Sequence, residues 1–89
     1  MPYIKKENRE KWNDAVKEVQ SIIESVSEDK KEGELNYFFT SVLKKIYKPS
    51  YFNYNRIIGL LECIKQEFYR RDVSSYEDEK IKENGDVSN

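Results

Sequence analysis

Apolar residues recur along this chain at steps of three and four rather than two. From Asn8 to Val26 the series Trp12, Val16, Val19, Ile23 and Val26 forms one stripe, widened by Ala15 and Ile22, which is the signature of an amphipathic helix. Asn8 offers an N-cap side chain, and Ile4 sits upstream where it could pack back on the first turn. Ser25 to Gly33 is polar and reads as a loop. A second helix is expected over residues 34–47 from Leu35, Phe38, Phe39, Val42, Leu43 and Ile46. Glu34 near its start and Lys44 and Lys45 near its end suit the helix dipole. Pro49 closes it, because proline lacks an amide hydrogen and disfavours helical geometry at Lys48.

Ser50 can cap a third and most apolar helix over residues 51–71, carrying Tyr54, Ile57, Ile58, Leu61, Ile64 and Phe68. Gly59 on that helix offers a place for another helix to approach. After Arg71 only Val73, Tyr76, Ile81 and Val87 remain as apolar anchors. Residues 72–89 are thus expected to hold a short helical turn around Tyr76 to Lys82 and no core of their own. The pattern predicts a single all-α domain over residues 1–89: a small three-helix bundle, or a helical hairpin plus a third helix, with an acidic C-terminal extension.

Charge divides the chain further. Residues 32–71 carry seven Lys/Arg against four Asp/Glu, whereas residues 72–89 carry Lys80 and Lys82 against Asp72, Glu77, Asp78, Glu79, Glu83 and Asp86. A basic stretch is therefore joined to an acidic tail, which can fold back over it, dock on a neighbouring copy or guard an anion site. The net charge of −1 argues against a general nucleic-acid binder. No apolar run has the length of a signal peptide or membrane span, so a cytoplasmic protein is expected. Cys63 is the sole cysteine; among Leu60, Leu61 and Ile64 it reads as a small buried residue. A thiolate nucleophile there would want a histidine base, and the chain has no histidine. The absence of histidine also removes the usual carboxylate-histidine metal set of helical bundles, and no phosphate loop, zinc spacing or nucleophile elbow occurs. The expectation is a non-enzyme without cofactor or metal.

At 89 residues the chain can bury only a thin core of its own. Seven tyrosines exceed what such an interior can hide with each hydroxyl satisfied, so some must face outward, as at interfaces, and a homo-oligomer is expected. The candidate ligand site is the end of the third helix. Arg70 and Arg71 would grip an anion, Tyr69 and Tyr76 would stack on a ring, and the acidic tail with Asp78 would close over them. Against this stands plain surface ion pairing of Glu62, Gln66 and Arg70, and of Glu67 with Arg71, at helical spacing.

The blocks Met1 to Ile4, Gly33 to Tyr37, Gly59 to Cys63, Tyr69 to Arg71, Tyr76 to Asp78 and Glu83 to Val87 resemble a domain-of-unknown-function family of small helical proteins from bacteria, archaea and tailed phages. The resemblance covers nearly the whole chain and departs around Ser25 to Glu32 and Lys48 to Tyr54. It implies a setting in which small non-catalytic proteins inhibit or sequester host defence components, some by binding nucleotide signals. The partners expected are thus further copies of the chain and either a small anionic ligand or a host protein.

Overall fold

The computed structural model of the chain describes residues 4–88. Met1 to Tyr3, and with them most of the first resemblance block, lie outside the described residues, as does Asn89. The protein is all-α. Its helices are α1 (Asn13–Glu24), α2 (Lys31–Ile46), α3 (Tyr51–Phe68) and α4 (Ser74–Asn84), and there is no strand among the described residues.

The start of α1 differs from the expected one. Two 3-10 turns, Lys6–Asn8 and Glu10–Trp12, precede it, and Asn8 does not cap. An N-cap needs extended backbone; here Lys5 has it, with ψ 150°, while the Asn8 amide donates to the Lys5 carbonyl at 2.9 Å inside the first turn. Arg9 ties the segment back through Nε to the Ile4 carbonyl at 3.1 Å. At the other end the Ser25 hydroxyl donates to the Ile22 carbonyl at 2.7 Å, occupying one acceptor of the last turn.

The expected loop from Ser25 to Gly33 is shorter than its composition suggests. A 3-10 turn at Glu28–Lys30 leads into α2 at Lys31, so Gly33 lies inside the helix. Glu32 and Glu34 in the first turn favour the early start through the helix dipole. α2 stops at Ile46, where Tyr47 turns extended with ψ 121°, two residues before Pro49. Ser50 then caps α3, accepting the Asn53 amide on Oγ at 3.0 Å, while Asn53 Nδ2 reaches back to the Lys48 carbonyl at 2.9 Å.

The molecule divides within α3, between Tyr54 and Asn55, into two compact units. In the first, α1 and α2 pack on each other. Val19, Ile23 and Val26 of the α1 stripe and Leu35, Val42 and Leu43 of α2 are half-buried, whereas Trp12 and Val16 remain open. The second unit holds the remainder of α3, a π turn at Tyr69–Val73, and α4. No described hydrophobic residue in either unit is fully buried.

Two further expectations are corrected here. Cys63 is exposed rather than buried, because at 100° per residue it stands well off the side of the helix shared by Ile57, Leu61, Ile64 and Phe68. Gly59 meets open space, with nothing within 4 Å of where a Cβ would stand, so among the described residues no helix approaches it.

Candidate functional site

The π turn sets the geometry of the candidate site. The Ser74 amide donates to the Tyr69 carbonyl five residues back, so the segment absorbs one extra residue without advancing a turn. Everything after it is rotated by about 100° relative to an uninterrupted α-helix. Phe68 is thereby followed on its own side by Val73 instead of Asp72, and Tyr76 follows Val73. The pattern gives a local reason for the bulge: it keeps a charged residue off the apolar stripe.

The same rotation aligns residues eight apart. Tyr69 donates its hydroxyl to both oxygens of Glu77, at 3.2 and 3.3 Å, across the π turn. This hydrogen bond and the charge of Glu77 raise the phenol above its ordinary ionisation range. One turn back, Arg70 donates through Nη2 to Glu67 Oε1 at 2.8 Å, and Arg71 donates through Nε to the same oxygen. The Glu67 carboxyl is held below its usual range, first by the hydrogen bond from Arg71 and then by that from Arg70. Its side chain is 15% exposed, against 67% and 50% for the two arginines.

Three of the five predicted site residues, Tyr69, Arg70 and Arg71, therefore share the π turn. Their nearest partners are carboxylates of their own helix. Tyr76 stands in α4 with Lys80 Nζ 5.5 Å from its ring centroid, and Asp78 follows Glu77, turned about 100° from the Tyr69–Glu77 row. Glu62 does not join the cluster: it binds Lys65 at 3.2 Å and Gln66 at 3.4 Å one turn upstream. Glu67 organises the site and belonged to no predicted ligand set, although its i+3 and i+4 spacing to the two arginines was the available signal. What the arrangement offers chemically is a pair of outward guanidinium faces, each with donors left over beyond the Glu67 contact.

Sequence reasoning also missed a groove in the first unit. Val19, Ile22 and Ile23 of α1 and Tyr37, Phe38 and Val42 of α2 line about 520 Å³, with Glu34 and Lys45 also on its wall. The expected tight turn at Glu83 to Asp86 is the end of α4. Gly85 stops the helix at φ 84°, a conformation for which only glycine is suited, and its amide donates to the Ile81 carbonyl at 2.8 Å. Among the described residues there is no cluster of His, Cys, Asp and Glu able to hold a metal, and no helix long and apolar enough to cross a membrane. The family described as "Domain of unknown function (DUF6899)" matches residues 1–87. Neither a curated protein nor a solved structure matches the chain.

Proposed function

The chain belongs to the DUF6899 family, and from that premise we propose that it is a protein-interaction module that self-associates through the apolar side of its helices. The observation that carries this reading is the absence of any buried hydrophobic residue among those described, while Leu61, Ile64, Phe68 and Tyr76 stand open on one side of α3 and α4. Apolar area left in water at this scale marks an association surface. Arg70, Arg71 and Tyr69 serve the module by stiffening the π turn through Glu67 and Glu77. Resemblance to phage and prokaryotic proteins supports a cytoplasmic host component, such as a defence protein, as the further partner.

The second reading is a small anionic ligand of nucleotide type held by Arg70 and Arg71 and stacked on Tyr69 or Tyr76. The exposed guanidinium faces favour it. Sedimentation of the purified protein at micromolar concentration tests the first reading, which requires a species heavier than 10.7 kDa; a 10.7 kDa monomer throughout would refute it. A thermal-shift screen against nucleotides and cyclic dinucleotides tests the second. A ligand at a hundred times its dissociation constant adds about 2.7 kcal/mol of stability.

A further inference from the structure

The helix of the second unit has charges as unevenly placed as its apolar stripe is continuous. Residues 55–71 carry Arg56, Lys65, Arg70 and Arg71 against Glu62 and Glu67, while residues 72–88 carry Lys80 and Lys82 against six acids. The stripe runs through Ile57, Leu61, Ile64, Phe68, Val73 and Tyr76, its second half brought into phase by the π turn. Its midpoint lies between Gln66 and Glu67, close to where the net charge changes sign.

We infer that the partner covering this stripe is a second copy of the same helix, running antiparallel about a two-fold axis near Gln66. A parallel pair would stack basic half on basic half and acidic half on acidic half along the whole contact. An antiparallel pair sets each basic half against an acidic half and needs only one self-complementary surface. In that register Arg56 of one copy comes beside Glu79 of the other, on the same flank of the stripe. The paired Glu67 clusters meet at the centre, each carboxylate already satisfied by its own Arg70 and Arg71. This inference rests on the self-association proposed above and goes further in fixing which copy, which helix and which direction.

Spin labels decide it. In a Cys63→Ser background, labels at Asn55→Cys are expected about 35 Å apart along the helix axis in the assembly, and labels at Asp78→Cys equally far, since each lies about 23 residues from its symmetry mate at 1.5 Å per residue. A mixture of the two singly labelled proteins brings Asn55→Cys and Asp78→Cys level, giving the shorter distance. Short distances within each single variant and a long one in the mixture would mean a parallel pair, which overturns the inference and leaves self-association standing. A monomer by sedimentation would remove both. A second arm reads charge: Arg56→Glu should weaken assembly at least several-fold, and Arg56→Glu with Glu79→Arg should restore it. Equal weakening in the single and the double variant would overturn the register.

Discussion

The two units of this protein carry the same kind of apolar pattern and end in different states. In the first, α1 and α2 face each other and half-bury Val19, Ile23, Leu35 and Val42 between them. In the second, the stripe of α3 and α4 has only its own helix within the unit, and Leu61 is 40% and Phe68 63% exposed. A helical hairpin supplies its own counterpart; a single helix cannot. Periodicity thus records that a face is to be covered, while the supply of neighbouring elements decides whether the covering comes from within the unit.

The largest effect that separates the two units should come from charge placed on the open stripe. Leu61→Glu is expected to drive the assembly to a 10.7 kDa species in sedimentation, because about 1.5–3 kcal/mol is lost per apolar side chain that would otherwise be covered, twice per pair. Ile23→Ala in the first unit should instead lower the melting temperature by about 1–2 kcal/mol equivalent and leave the sedimenting mass unchanged, its site being only half-buried. If both variants dissociate the assembly, the first unit is part of the interface and the contrast fails.

Next in size is the cap. Ser50→Ala removes the acceptor for the Asn53 amide and should cost about 1 kcal/mol in thermal unfolding, with assembly intact. Gly59→Ala should work the other way. With nothing within 4 Å of the added methyl, the helix gains about 0.5–1 kcal/mol. Dissociation on Gly59→Ala would show that a neighbouring copy packs on that glycine. At Gly85, where φ is 84°, alanine should destabilise the end of α4, seen as lost hydrogen-exchange protection near Ile81.

The smallest expected effect is titration of Glu67. Its folded carboxyl ionises below the ordinary 4.5 because the arginines stabilise the charged form. The contribution is therefore present above that ordinary value and is lost as pH falls through the lower folded value. Far-UV circular dichroism of the wild type should show a slight extra loss of helix on that acid limb, and Glu67→Gln should lack it. Indistinguishable acid limbs would mean that the Glu67 cluster adds nothing measurable to the second unit.

The all-α class and the break at Pro49 were legible because each rests on chemistry that needs no tertiary context: three-four periodicity and a missing amide hydrogen. The Ser50 cap was legible for the same reason. The start of α1 was not, because Asn8 has the right side chain and the backbone chose its extended residue at Lys5. α2 begins at Lys31 where polar composition suggested a loop; helix dipole and the Lys31–Glu28 pair at 2.8 Å outweighed it. At the candidate site the spacing of Glu67 to Arg70 and Arg71 could be read from the chain. The Tyr69–Glu77 bond could not, since residues eight apart do not align on an ordinary helix. Reading Phe68, Val73 and Tyr76 as one stripe required admitting a step of five.

A π turn is a one-residue insertion that the helix has absorbed, so gains and losses of single codons act on it as a rotary adjustment. Loss of one residue between Tyr69 and Val73 is expected to leave a plain α-helix whose whole acidic end is swung by about 100°. Composition, length and charge would scarcely change, yet the acids would face another direction. A lineage carrying this helix can therefore re-aim its C-terminal surface by a single in-frame deletion, without altering any residue that the surface displays.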